Sequence, residues 1–290
     1  MREAPISFPM LGENFVINPP SYFTIGSFKI YFYGVIIALG FLLAIIYTAR
    51  YCRRVGMRMD DIYDLIIFAV PSAIIGARLY YVIFNYSLYA GDFWSIFRIR
   101  DGGLAIYGGV IGAVIAMFFR CRRKKISFAG ALDAASFGLL IGQSVGRWGN
   151  FFNREAFGYE TDVFCRMGLT LPGQETVYVH PTFLYESLWN LVGLIVLHNV
   201  CKRHRRYGGQ FFLLYLAWYG LGRTFIEGLR TDSLWLIPGV IRVSQLLAAA
   251  SFVVAGGLYI VNAVRVKRGL RPLVGEPLAQ EAPDENEENK

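Results

Sequence analysis

Charge is what this sequence has least of. Only 17% of its 290 residues are charged, against roughly 25% in an ordinary soluble domain. Cysteine is scarce too. Cys52, Cys121, Cys165 and Cys201 form no CxxC pair and no zinc-ligand spacing, which excludes a metal-stapled or thioredoxin-like reading. Cys52, Cys121 and Cys201 fall beside basic clusters, as expected of thiols facing a reducing cytoplasm. Cys165 sits in a different loop, so no disulfide is expected. Residues 1–20 carry no apolar core bordered by a small-residue cleavage site, so no cleaved signal peptide is expected. What the chain has instead is 55% hydrophobic residues, with 18 Tyr and 23 Phe. The apolar residues lie in long runs and the charges lie between them, which is the membrane pattern. The net charge of +8 does not indicate nucleic acid, because the basic residues sit in short clusters at the ends of the runs.

A membrane-spanning helix needs about 20 mostly apolar residues. Seven candidate spans are predicted, at about 29–49, 62–84, 103–119, 129–146, 182–201, 209–228 and 240–263. Gly108 and Gly112 give the third a GxxxG spacing that lets helices approach closely. Basic clusters follow the odd-numbered spans: Arg50 to Arg58, Arg120 to Lys125, Lys202 to Arg206, and Arg265 to Arg271. With seven spans all four clusters fall on one side. The positive-inside rule then places the N-terminus outside and the C-terminus in the cytoplasm. The expected fold class is therefore an all-α integral membrane bundle over 1–268, with one long outer loop at about 150–180. A disordered cytoplasmic tail is expected over 269–290, polar and acidic from Gly275 onward.

Ionisable residues inside a membrane cost about 2.5–3.5 kcal/mol each near the bilayer centre and need a reason. The predicted topology puts many at one outer level. They are Tyr33 on span one, Arg78 on span two and Arg147 at the end of span four, with Asn150, Asn153 and Glu155 after it. His180 and Glu186 lie at the start of span five. Tyr219, Arg223, Glu227 and Arg230 run along the end of span six. Tyr219, Arg223 and Glu227 are spaced i, i+4, i+8 and share a helix face, with Arg230 near it. The plain alternative is an Arg223–Glu227 pair that only neutralises charge. Gly76-Ala77-Arg78, Gly146-Arg147 and Gly222-Arg223 repeat weakly at the outer ends of the even-numbered spans. Three arginines at one depth suggest a phosphate pocket, because a guanidinium matches phosphate with two parallel bonds. The alternative is that each Arg snorkels to a lipid head as an anchor.

The run Gly146-Arg147-Trp148-Gly149-Asn150-Phe151-Phe152-Asn153-Arg154-Glu155, with Gly158 after it, resembles the G-R-x-G-N-F-x-N-x-E signature of prolipoprotein diacylglyceryl transferases. The resemblance extends over nearly the whole chain. It takes in Tyr33-Gly34, Gly76-Ala77-Arg78, Asp101-Gly102-Gly103 and His180-Pro181-Thr182-Phe183-Leu184-Tyr185-Glu186. Tyr219-Gly220-Leu221-Gly222-Arg223, Glu227 and Arg230 complete it. It implies transfer of the diacylglyceryl group of phosphatidylglycerol to the lipobox cysteine of a preprolipoprotein, with release of glycerol phosphate, as the first step of lipoprotein maturation. It also implies a bacterial inner membrane location with the site near the outer leaflet, and no metal or soluble cofactor. The functional positions it carries over are Tyr33, Arg147, Asn150, Glu155, Gly158, Tyr219, Arg223 and Glu227. One position departs from the pattern. Where some members have His-Gly-Gly, this chain has Tyr107-Gly108-Gly109. A tyrosine of pKa near 10 is a poor base at neutral pH, although its hydroxyl can hold a phosphate oxygen.

In such a reaction the nucleophile is the substrate's thiol, so no Ser/His/Asp or Cys/His set is needed. Arg147 and Arg223 suit the charge that grows on the departing phosphate. Arg78 either joins them or braces the bundle. Glu155 and Glu227 each have two readings, proton acceptor or orienting partner of an arginine; for Glu227 the i+4 spacing favours the second. Asn150 and Asn153 either bind a headgroup hydroxyl or peptide carbonyl, or end the helix. A transporter would place its polar site near the midplane. A lipid-binding scaffold would share the pocket and lack turnover.

Overall fold

The structure is a computed structural model in which residues 4–12, 14–99, 102–170, 173–237 and 239–278 are described. Asp101, expected to belong to the signature before span three, lies outside the described residues. Among the described residues seven α-helices form: α1 (Phe32–Tyr51), α2 (Met59–Phe84), α3 (Ile106–Lys124), α4 (Phe128–Asn153), α5 (Thr182–Arg203), α6 (Gln210–Leu229) and α7 (Val243–Lys267). Each overlaps one of the seven predicted spans. By length and composition, five are apolar enough to cross a membrane: α1 with its following turn, α2, α4, α5 and α7. The basic end of α3 and the polar line on α6 dilute the other two. Large apolar side chains stand exposed along α1, among them Val35, Leu39, Leu42 and Ile46. Water would make such a face an aggregation liability, whereas lipid tails solvate it.

The chain divides into two compact units, Thr48–Ala134 and the remainder, Met1–Tyr47 with Ala135–Lys290. In the first, α2 and α3 run antiparallel in close contact. A methyl group added at Gly108 would meet the Gly76 carbonyl and the Tyr80 side chain, and one at Gly112 would meet the Ser72 carbonyl. The expected GxxxG close approach is thus made, and only hydrogen atoms in place of side chains permit it. At the far end Arg120 grips Asp64 with two bonds of 2.5 Å, joined by Lys124 at 3.3 Å. At the near end the α2–α3 connection folds around Arg78. Its Nε donates to the Ile96 carbonyl, Nη1 to Gly102 and Gly103, and Nη2 to Ser95 and Arg98. All five N–H donors of a guanidinium are then in use.

The second unit holds α5, α6, α7, most of α1 and α4, and a layer of strands that the all-α expectation does not contain. Strands β1 (Ile6–Ser7), β2 (Val16–Ile17), β5 (Met167–Thr170) and β6 (Thr176–Val179) make one antiparallel sheet in the order β2-β1-β5-β6. Two hairpins lead into helices: β3 (Tyr22–Ile25) with β4 (Phe28–Tyr31) before α1, and β8 (Trp235–Ile237) with β9 (Ile241–Arg242) before α7. These strands are two to four residues long, too short to display the alternation by which strands are read. The segment expected as an outer loop thus contains two strands, β5 and β6. Its partner strands come from the chain's start. Ile6, Phe8, Met167, Leu169 and Val179 pack with Phe151 of α4 and Phe183 of α5 into one core.

Helix α4 runs to Asn153, past the predicted end at 146. Gly149 lets it continue against α1, because the Tyr33 ring occupies the place where a Cβ would stand. Between α5 and α6, Trp189 and Trp218 each donate an indole N–H to the other's carbonyl at 2.9 Å, with their rings stacked at 4.6 Å. Beyond α7 the chain turns back. Asn262 Nδ2 donates to the Val274 carbonyl at 2.7 Å, and its Oδ1 accepts from Leu273 N–H at 2.8 Å. Strand β10 (Glu276–Pro277) then pairs with β7 (Tyr207–Gly208). Of the tail expected to be disordered, 279–290 lies outside the described residues.

Candidate active site

Successive helices α4, α5 and α6 bring the C-terminal end of the first, the start of the second and the end of the third together. Four charged side chains meet there. Glu186, on the first turns of α5, accepts from Arg147 Nη2 through Oε1 and from Arg223 Nη1 at 2.8 Å through Oε2. Arg223 Nη2 also pairs with Glu227 at 2.5 Å, one turn further along α6. Ser244 of α7 donates to the other Glu227 oxygen at 2.6 Å. The glutamate side chains are 3% exposed, Arg223 14% and Arg147 20%. Charge alternates along the chain Arg147–Glu186–Arg223–Glu227 and sums to zero. That balance is what makes such burial tolerable. Arg147 is the most open member, and its Nε has no hydrogen-bond partner among the described residues, so it keeps donor capacity for an anion.

Because α4 continues, Arg147 and Asn150 lie on successive turns of one helix. Arg147 Nη1 reaches Asn150 Oδ1 at 3.4 Å. Asn150 Nδ2 and Asn153 Nδ2 both donate to Glu155 Oε1, at 3.0 and 3.3 Å. The signature therefore folds into a line, Arg147 to Asn150 to Glu155, that joins the charge cluster to an exposed carboxylate. Asn153 Oδ1 is buried and makes no hydrogen bond among the described residues. Both asparagines are helical, Asn153 as the last residue of α4, and their amides serve Glu155.

Gly158, His180 and Arg230 come together through their backbones. Gly158 N–H donates to the His180 carbonyl at 3.0 Å, and Tyr159 N–H to Leu229 at 2.8 Å. Gly158 and Arg230 face each other in an antiparallel bridge. A Cβ at Gly158 would strike the Leu229 carbonyl and the His180 side chain, so only glycine fits there. Arg230 does not extend the Arg223–Glu227 face. It caps α6 with extended backbone (φ −78°, ψ 147°), and its guanidinium binds Asp232 at 2.8 and 2.9 Å. That contact holds the Asp232 carboxyl below the usual carboxylate range. His180 Nδ1 lies 3.2 Å from the Tyr185 hydroxyl, which also meets Cys165 Sγ at 3.3 Å. Burial pushes the His180 imidazole below its ordinary 6.5, favouring the neutral ring.

Tyr219, one turn before Arg223, stacks on Tyr215 at 5.9 Å, and Gln143 Nε2 donates to the Tyr215 hydroxyl at 2.9 Å. Tyr33 packs on α4 at Gly149 and is 38% exposed. Arg78 and Tyr107 belong to the other unit. The five donors of Arg78 all end on backbone carbonyls, so of its two open roles the structure supports the brace and not the third phosphate ligand. Tyr107 opens α3, 45% exposed, with its ring 6.5 Å from that of Tyr80. Glu186, expected at the same outer level but given no role by the sequence, is the residue that holds both arginines. It is a lone carboxylate near the start of an apolar helix, and the arginines of the neighbouring helices are its natural partners.

Residues 20–261 match the sequence profile of the prolipoprotein diacylglyceryl transferase family. A phosphatidylglycerol–prolipoprotein diacylglyceryl transferase of Bacillus cereus (strain G9842) is 46% identical over 238 residues, 80% of this chain and 87% of its own length. One of Bacillus anthracis is 45% identical over the same shares.

Proposed function

The chain belongs to the prolipoprotein diacylglyceryl transferase family, and from that premise we propose that it moves diacylglyceryl from phosphatidylglycerol onto the lipobox cysteine of a preprolipoprotein. The observation that carries this reading is the half-buried pair Arg147 and Arg223, held by the buried carboxylate of Glu186.

In the reaction the cysteine thiolate attacks the diacylglyceryl carbon that bears the phosphate ester. A carbon–sulfur bond forms, the carbon–oxygen bond breaks, and glycerol phosphate leaves with the electron pair. The thiolate is the reactive form of a group whose pKa is about 8.5, so the thiol proton needs an acceptor. Arg147 and Arg223 face the charge that develops on the departing phosphate. Fixed beforehand by Glu186 and Glu227, they need no reorganisation as that charge appears. Glu227 is the orienting partner of Arg223. Glu155, exposed and hydrogen-bonded through one oxygen only among the described residues, is the better placed of the two expected carboxylates to take the thiol proton. Asn150 and Asn153 hold the Glu155 carboxylate through their amide N–H groups. Tyr33 and Tyr219 border the arginine cluster through α4 and α6. Gly158, His180 and Arg230 meet through their backbones beside the end of α6. For Tyr107 a phosphate contact rests on the resemblance alone.

In this reading all seven helices span a bacterial inner membrane, with the N-terminus and the sheet outside and the basic clusters in the cytoplasm. The site then lies near the outer leaflet, where both substrates reside. The test uses purified protein in detergent with phosphatidylglycerol and a one-cysteine lipobox peptide. The expected result is cysteine-dependent glycerol phosphate release with a diacylglyceryl mass gain on the peptide, and neither with a Cys→Ser peptide. Binding of phosphatidylglycerol without turnover by folded protein would sink the reading and favour a lipid-binding scaffold.

A further inference from the structure

Glu155 stands between two residues in the left-handed region, Arg154 (φ +51°) and Ala156 (φ +58°). Side chains other than glycine or asparagine seldom take that conformation, and the position just past a helix end is where glycine usually stands. Here an arginine stands there, and it is 2% exposed. Its side chain explains the choice. Nε donates to the Ala4 carbonyl at 3.1 Å and Nη1 to Phe152 at 2.5 Å. Nη2 donates to Asn18 Oδ1 at 2.8 Å and to the Pro19 carbonyl at 2.6 Å. Arg154 therefore staples the turn after α4 to the residues that flank the first two strands. Those strands carry no side chain of the site, yet they are the ground on which the turn is pinned.

Glu155 depends on that pinning. Its N–H donates to the Asn150 carbonyl at 3.1 Å, and its carboxylate is reached by the Asn150 and Asn153 amides. A turn released from Ala4, Asn18 and Pro19 would relax toward commoner backbone angles and swing Glu155 away from Asn150, and so from Arg147. We infer that Arg154 is a positioning residue, which uses the N-terminal strand layer to hold Glu155 in line with Asn150 and Arg147. The role of Glu155 in turnover rests on the function proposed above; the pinning itself does not.

Two measurements test it. The variant R154G removes the staple while keeping a residue suited to the left-handed backbone, and both measurements use protein shown to be folded. Amide hydrogen exchange of R154G against the starting protein is expected to quicken at Glu155 and Gly158, with the amides of α5 and α6 unchanged. Unchanged exchange at Glu155 would overturn the positioning role, whatever the protein catalyses. The second measurement is a double-mutant cycle in glycerol phosphate release per folded protein. R154G is expected to lower kcat about tenfold with little change in KM for phosphatidylglycerol, and to lower it less than about twofold further in an E155Q background. Losses that multiply independently would mean that Arg154 acts on the fold at large and would also overturn the inference. Absence of turnover in the starting protein would count against the proposed function, and the exchange comparison would still decide the positioning role.

Discussion

Glu186 is the single side chain on which both arginines of the cluster depend. Removing one partner from a buried ion pair costs about 3–5 kcal/mol, because the other charge stays buried uncompensated. Glu186→Gln is therefore expected to lower the thermal unfolding midpoint in detergent markedly, with loss of glycerol phosphate release. Retained stability would show the arginines find other partners. Arg78 behaves differently. Lysine has three donors where arginine has five, so Arg78→Lys loses bonds to the 95–103 carbonyls on the order of 3 kcal/mol in all. The expected outcome is a less stable protein whose turnover per folded molecule is unchanged, read from unfolding and activity on the same sample. His180 carries the pH dependence. Its folded pKa lies below 6.5, so the neutral ring's contribution is complete above 6.5 and is lost as pH falls through the folded value. The unfolding midpoint should drop more between pH 7 and pH 5 for the parent than for His180→Gln.

At the scale of elements, two kinds of contact order the helices. Apposed glycines join α2 to α3, and reciprocal indole bonds join α5 to α6. The first is sensitive to volume. A side chain at Gly108 must displace backbone, and overpacking of this kind costs about 1–3 kcal/mol or more. Gly108→Val is expected to lower thermal stability, whereas Gly34→Ala, where nothing stands within 4 Å of a new Cβ, should not. Equal effects would mean the α2–α3 approach is not made. The sheet is the other lesson at this scale. Its strands gain stability from the shared Phe151 and Phe183 core rather than from strand propensity, so they are the elements a sequence reading most easily overlooks.

For the whole molecule the orientation is the property to measure. A cysteine placed at exposed Glu160 should react with a membrane-impermeant thiol reagent in intact cells, or in spheroplasts where an outer membrane blocks the reagent. One at exposed Arg123 should react only after permeabilisation. The reverse pattern would invert the topology and put the site at the cytoplasmic face. The native thiols interfere little, since Cys52, Cys121 and Cys201 are buried and Cys165 is half-buried.

Helix number, most helix bounds (the ends of α3 and α4 excepted) and the family signature could be read from the sequence alone. Long apolar runs and basic clusters are one-dimensional consequences of a two-dimensional solvent, in which every backbone polar group must be satisfied within its own helix. The i, i+4 pairing of Arg223 with Glu227 was legible for the same reason, since a helix fixes it locally. What only the tertiary structure decided depends on contacts between distant segments. Arg147 and Arg223 share Glu186 because three helix ends converge. Arg78 is spent on carbonyls 17 to 25 residues away, so it serves as a brace. The chain's opening residues, featureless as sequence, build half of a sheet and anchor Arg154 across a separation of 135 to 150 residues. A side chain's charge is written at its own position, but its partner is chosen by packing.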